Sequence, residues 1–267
     1  MKKQRSMAEF KSWTSFSTFW AAIIRKHRFF RPPDVEDFLN TVLATSKGRQ
    51  TVIKASKVFW RAQIGCDFSP YYQNDEYIDD LPAPYPPGRM KPLAGEATEG
   101  RVNPKGIPYL YLATKRDTAL AEVRPWLGTC ISVAQFKTVR ELRVVSCSGT
   151  GERLSIYLEE PEPPEREKAV WSDIDRAFST PISPGDRTAE YAPTQVITDM
   201  FKANGFDGIV YRSALGDGHN VALFDLEAAE IVNCSLFEVK DIKFTFSQAA
   251  NPYFIKKHYE KGDKEGT

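Results

Sequence analysis

Glu122 is the residue hardest to explain as ordinary surface chemistry. It lies in Thr118-Ala119-Leu120-Ala121-Glu122-Val123, where the spacing predicts a short helix over Thr118–Trp126, ended by Pro125 and Gly128. Positions 118, 119, 125 and 126 hold Thr, Ala, Pro and Trp. The usual partner of a helical carboxylate, a basic residue three or four positions away, is therefore missing. With Ala119, Leu120, Val123 and Trp126 around it, the carboxylate is a candidate for chemistry. Two arginines could complement it by gripping an anion through paired hydrogen bonds. They are Arg61, in Trp60-Arg61-Ala62, and Arg101, in Gly100-Arg101-Val102-Asn103-Pro104-Lys105-Gly106. Each has a plainer reading: Arg61 as a surface cation stacked on Trp60, Arg101 as a loop ion pair with Glu96 or Glu99, worth little at a surface.

Tyr111 belongs to a strand expected over Ile107–Ala113. Alternation puts Tyr109, Tyr111 and Ala113 on one side and Leu110 and Leu112 on the other. Its ring is either core or a wall for a flat aromatic ligand. Ser213 closes Gly205-Phe206-Asp207-Gly208-Ile209-Val210-Tyr211-Arg212-Ser213. A serine after a strand ordinarily makes a turn hydrogen bond, and no G-x-S-x-G marks it as a nucleophile. Asn220 opens Asn220-Val221-Ala222-Leu223-Phe224, where it could hold the loop or touch a ligand. His219, beside Gly218, reads as incidental. His27, His219 and His258 form no H-E-x-x-H or other close ligand cluster, so no metal is expected.

These segments, in this order over residues 57–230, resemble the RES domain, named for its Arg, Glu and Ser. The resemblance implies an α+β fold similar to ADP-ribosyltransferases, a mixed β core with flanking helices. It implies cleavage of NAD⁺ at the nicotinamide–ribose bond, with phosphate or water as acceptor, by an NAD⁺ phosphorylase or glycohydrolase. Glu122, Arg101 and Ser213 would form the catalytic set, and Arg61, Tyr111 and Asn220 would bind substrate. NAD⁺ enters as substrate and phosphate as a possible co-substrate, with no resident cofactor. The resemblance also implies the toxin of a toxin–antitoxin pair, partnered by an Xre-type antitoxin. The residue types suit that reaction: nicotinamide leaves as a neutral ring, so no general acid is required. A carboxylate beside the ribose stabilises the developing oxocarbenium ion, arginines hold the pyrophosphate, Tyr111 flanks the ring, and Ser213 hydrogen-bonds substrate or orients Glu122. Two rival readings stand beside it: transfer of ADP-ribose to a macromolecule by the same cleft, and a catalytically silent nucleotide-binding or interaction module whose long insertions serve a partner.

Residues 1–50 should be helical. Phe10, Trp13, Ser17, Trp20 and Ile24 form one stripe, Pro32-Pro33 stops the helix, and Asp34 caps a second one whose core face is Val35, Phe38, Leu39 and Val42. Strand structure is expected from Val58, then a long Pro- and Gly-rich loop over 81–108, which lies beside the proposed cleft as either a lid or a block. Strands follow at 130–136 and 142–147, and a helix around Arg166–Phe178 in a Pro- and charge-rich stretch. A helix at 190–204 buries Val196, Ile197, Met200 and Phe201 and ends at Gly205. Two strands then flank Gly216-Asp217-Gly218. The division expected is a helical extension (1–50), the NAD⁺-cleaving unit (51–250) and a charged mobile tail (251–267). The absence of βαβ alternation and of G-x-G-x-x-G argues against a Rossmann unit.

The chain has 267 residues, 42% hydrophobic and 27% charged, within the range of folded globular proteins. Thirty-six basic against 35 acidic residues leave a net charge of +1, no reason to expect nucleic acid as partner. Four scattered cysteines without a C-x-x-C pair suggest a reducing compartment and small buried apolar groups. The apolar run Phe16–Ile24 has neither a cleavage site nor the length of a membrane span, so a soluble cytoplasmic protein is expected.

Overall fold

The computed structural model describes residues 9–93, 95–149, 157–180 and 188–247. Two helices open the chain, α1 (Ser15–Arg25) and α2 (Pro33–Thr45), followed by strands β1 (Gln50–Ile53) and β2 (Val58–Ile64). A hairpin of β3 (Asp67–Gln73) and β4 (Glu76–Ala83) precedes the single-turn helix α3 (Pro87–Met90) and strand β5 (Leu110–Ala113). Helix α4 (Arg116–Glu122), strands β6 (Cys130–Thr138) and β7 (Leu142–Ser146) and helix α5 (Pro163–Ser179) come next. Helix α6 (Ala192–Ala203) then leads into β8 (Gly208–Arg212), β9 (His219–Leu223) and β10 (Ala229–Glu238). The class is α+β, as expected.

Eight strands form one mixed sheet in the order β1-β7-β8-β9-β5-β2-β6-β10, and β3 and β4 pair only with each other. Neighbours run antiparallel except β7 and β8, which are parallel. The ladder is nearly broken in one place. β2 pairs with β6 from Val58↔Lys137 to Ile64↔Ile131, but meets β5 only at Trp60↔Ala113. The sheet therefore splays between β2 and β5, and the side chains bordering that split can face a ligand.

Helices α1, α2, α5 and α6 cover one face, burying Phe38, Trp171, Ile174 and Phe201 against Tyr109, Ile209 and Tyr211. The other face packs Phe59, Leu110, Leu112, Phe136 and Leu223. Period-two alternation holds through β5: Tyr109 and Tyr111 join the first core, Leu110 and Leu112 the second. A third cluster seats Ala119 of α4 on Ala62, Ala113, Ile131 and Val133, fixing α4 beside the split.

Several expectations need correction. The buried face of α1 is Phe16, Phe19, Ala22 and Ile23, turned from the stripe through Trp13, Ser17, Trp20 and Ile24. Phe19 stacks on Phe38 at 4.5 Å, an aromatic contact between helices that a one-helix pattern does not contain. Helix α1 ends at Arg25, not at the prolines, and Pro33 instead starts α2, where its missing N–H costs nothing. The cap of α2 is Pro32, and Asp34 lies in its first turn. The 81–108 loop begins as the end of β4 and contains α3. Helix α4 ends at Glu122 rather than at Trp126. Strands β3 and β4 fall in the strand-rich stretch expected from Val58, whereas β1 and β10 had no expectation attached. Of the four cysteines only Cys147 is fully buried, and all are free thiols. Among the described residues no helix is long and apolar enough to cross a membrane, and no group of His, Cys, Asp or Glu is placed to hold a metal. The tail from 251 lies outside the described residues.

Candidate active site

The end of α4 carries Glu122 to the mouth of the split between β2 and β5. Its Oε1 accepts two hydrogen bonds, from Ser213 Oγ at 2.7 Å and from Asn220 Nδ2 at 2.7 Å. Both donors are buried, Ser213 and Asn220 each at 7% exposure, whereas the Glu122 side chain stays exposed to the cleft. Two neutral donors on one oxygen orient the carboxylate. The second oxygen, Oε2, makes no hydrogen bond among the described residues.

Local geometry makes this convergence possible. Ser213 follows β8 and Asn220 lies in β9, whose pairing sets Tyr211 opposite Asn220. The loop between them turns back on α4: Thr118 Oγ1 donates to Asp217 O at 3.1 Å, and a Cβ added at Gly216 would meet Thr118 at 3.1 Å. Gly218 has φ +156 and would place a Cβ 2.9 Å from Thr114 Oγ1, so glycine is required for the approach. The Ser213 N–H donates to Gly218 O, and Ser213 Oγ also accepts from Leu215 N. The turn hydrogen bond and the Glu122 contact thus use the same side chain.

The cleft, about 460 Å³ in volume, is lined by Arg61, Thr98, Tyr111, Glu122, Tyr211 and Asn220 together with Trp60 and Ala119. Arg61 sits in its floor. Its Nη1 donates across the split to Tyr111 O at 3.2 Å, and its Nε is buried without a partner among the described residues. Burial lowers the guanidinium to about 10, so it remains a cation at neutral pH. No carboxylate among the described residues pairs with it. A buried cation without a counter-charge is costly, and an anionic ligand would relieve that cost. The plainer reading of Arg61, a cation stacked on Trp60, is not what the geometry shows.

Tyr111 serves the core and the cleft together. Its ring lines the cavity, while its hydroxyl donates to Asn103 Oδ1 at 2.7 Å and accepts from Val102 N at 3.1 Å. Burial pushes the phenol up to about 12. Asn103, unremarked in the sequence, holds the loop 98–107 by donating to the carbonyls of Thr98, Pro104 and Ile107. Only its position in the glycine-rich loop hinted at this. Tyr211, also missed, is buried with its phenol held well above the ordinary value by desolvation.

Arg101 is placed differently from the other five. Its guanidinium donates to the carbonyls of Phe178 and Thr180, which would otherwise be unsatisfied at the C-terminal end of α5. Its own carbonyl accepts from Thr194 Oγ1 at 2.6 Å. It ties the rim loop to two helices and makes no ion pair with Glu96 or Glu99 among the described residues. A second cavity of about 300 Å³ adjoins the first through Arg61, Thr98 and Tyr111, and adds Arg89 and Lys91. Lys91 is paired with Glu227 at 2.9 Å, and Arg89 lies over the Tyr85 ring at 3.9 Å.

No curated protein matches the chain. Among solved structures it is similar to one described as the M. tuberculosis MbcT–MbcA toxin–antitoxin complex, at 15% identity and a TM-score of 0.39, covering 72% of this chain and 90% of that one. A likeness at that level speaks neither to activity nor to partners. The family model of the RES domain matches residues 76–247, a span containing Arg101, Tyr111, Glu122, Ser213 and Asn220, whereas Arg61 precedes it and joins the site through geometry. The chain belongs to the RES-domain family.

Proposed function

We propose that the chain degrades NAD⁺ by cleaving the bond between nicotinamide and ribose. The observation that carries this reading is the Glu122 carboxylate, exposed to a cleft, held on one oxygen by Ser213 and Asn220, and sharing that cleft with the unpaired Arg61 cation. As the C–N bond breaks, its electron pair leaves on the nicotinamide nitrogen and the ribose carbon becomes electron-poor. Glu122 Oε2 accepts a hydrogen bond from a ribose hydroxyl and stabilises that charge. The Tyr111 ring walls the nicotinamide, and Arg61 pairs with the pyrophosphate. Phosphate or water then attacks the same carbon and forms the new C–O bond, releasing a proton. Arg101 contributes by holding the rim loop. Membership of the RES family supports the further reading of a toxin restrained by an Xre-type antitoxin.

The test is NAD⁺ consumption by the purified chain with and without phosphate, beside Glu122→Gln. Nicotinamide should be released and the variant should lose about 100-fold or more in kcat, as expected when a transition-state charge loses its stabiliser. Phosphate dependence would name the acceptor. Intact NAD⁺ in both buffers would sink the proposal, and label from NAD⁺ appearing on protein or nucleic acid would favour transfer to a macromolecule. Induced expression should arrest growth with the wild-type chain and not with the variant.

A further inference from the structure

The hairpin of β3 and β4 stands off the main sheet with nearly every residue exposed. Phe68, Tyr71, Tyr72 and Tyr77 are 60%, 45%, 57% and 53% exposed, with Ile78 and Leu81 beside them. A two-stranded hairpin is marginal in water unless one face is covered, and a cluster of this kind is a recognition surface more often than an accident. Its charge is one-sided: Asp67, Asp75, Glu76, Asp79 and Asp80 lie between residues 67 and 83, with no Lys or Arg. Edge addition of another strand is hindered, since Pro70 and Pro82 interrupt the N–H rows of both strands. The hairpin is therefore built to dock by its face.

The complementary surface is on the same chain. The connection between α1 and α2 reads Arg25-Lys26-His27-Arg28-Phe29-Phe30-Arg31 and contains no acidic residue. All seven residues are exposed, with Phe29 at 91% and Phe30 at 86%. Lys26, Arg28 and Arg31 make no ion pair among the described residues, nor do the five hairpin carboxylates. Neither surface covers the other within one molecule, because both are exposed. One is acidic and aromatic, the other basic and aromatic.

We propose that the chain self-associates, with the basic connection 25–31 of one copy seated on the acidic hairpin 67–83 of a second. Two-fold symmetry makes the contact twice. Phe29 and Phe30 supply the buried anchors, and the charges set partner choice and orientation. The inference stands apart from the proposed activity and is tested apart from it.

Sedimentation equilibrium of the full chain, over a range of concentration and salt, measures the association. A dimer weakened by salt is expected. Asp79→Lys/Asp80→Lys and Arg28→Glu/Arg31→Glu should each weaken it by about tenfold or more, the scale of like-charge juxtaposition. An equal mixture of the two variants should restore the dimer, since each then offers the surface its partner needs. Circular dichroism confirms that both variants are folded. A chain that stays monomeric at all concentrations, or a dimer indifferent to both reversals, overturns the proposal. So does binding of the hairpin to a basic protein with no self-association.

Discussion

Oε1 of Glu122 is shared by Ser213 and Asn220, so the two donors act as a unit. Replacing either with Ala should lower kcat by about tenfold with little change in KM, since each holds the carboxylate rather than the substrate. The double variant should cost less than the product of the singles, a non-additivity that kinetics on the three variants checks. Multiplicative effects with a raised KM would make them independent substrate contacts. Arg61 calls for the opposite signature. Arg61→Met keeps the length of the side chain and removes a buried cation that has no carboxylate partner among the described residues. The melting temperature without ligand should not fall, while KM for NAD⁺ should rise by about 100-fold, as when a charged contact to a phosphate is lost. A fall in melting temperature with KM unchanged would make Arg61 a structural strut. That Glu122 lacked a helical partner was legible in the sequence. Ser213, 91 positions away, was already a candidate to orient it. Asn220, 98 positions away on the same oxygen, was read only as holding the loop or touching a ligand, because no local pattern records that contact.

The pairing of β8 with β9 holds those two donors in register. Gly208 faces Leu223 there, and a Cβ on it would lie 2.3 Å from the Ala222 carbonyl oxygen. Gly208→Ala must push the strands apart, a change costing about 1–3 kcal/mol. It should also reduce activity, since Ser213 and Asn220 lie on the displaced elements. Denaturant unfolding together with NAD⁺ turnover tests both halves, and a stable, fully active variant would contradict the account. Regular elements such as α2, α5, α6, β6 and β7 were legible because apolar periodicity reports a buried face. For β3 and β4 only the strand character was legible, as part of the strand-rich stretch from Val58. That they pair apart from the main sheet was not, since a hairpin that buries neither face carries no alternation tied to a core. β10 was missed for a related reason, as an edge strand half exposed along its length.

Across the molecule, three buried tyrosines surround the cleft. Burial raises Tyr111 to about 12, and raises Tyr109 and Tyr211 further. Their folded values lie above the unfolded one, 10.0, so the folded state keeps protons that the unfolded chain gives up. Their contribution to stability is complete below about pH 10 and is lost as pH rises through the folded values. Above that point each adds about 1.4 kcal/mol of destabilisation per pH unit. Urea unfolding midpoints should therefore fall steeply beyond about pH 10. This adds to the loss that the buried Cys147 thiol, also pushed up by burial, begins above its ordinary value of 9.0. Part of the tyrosinate absorbance should appear only as the chain unfolds. Ionisation of all the tyrosines on a chain that is still folded near pH 10 would show that these three rings are open to solvent.

The residue types of the site, their order along the chain and the α+β class could all be read from the amino acids alone, since motif spacing and apolar periodicity are local properties. The near-breakage of the sheet between β2 and β5 could not. It depends on which strands meet, and a single pair, Trp60↔Ala113, decides where the cleft opens. The same holds for the two arginines. In sequence they were equivalent anion forks. In the fold Arg101 spends its guanidinium on the carbonyls at the end of α5, while Arg61 keeps a buried, unpartnered nitrogen in the cleft. Hydrogen-bond satisfaction belongs to the neighbours a side chain meets in space, and only the tertiary structure assigns those.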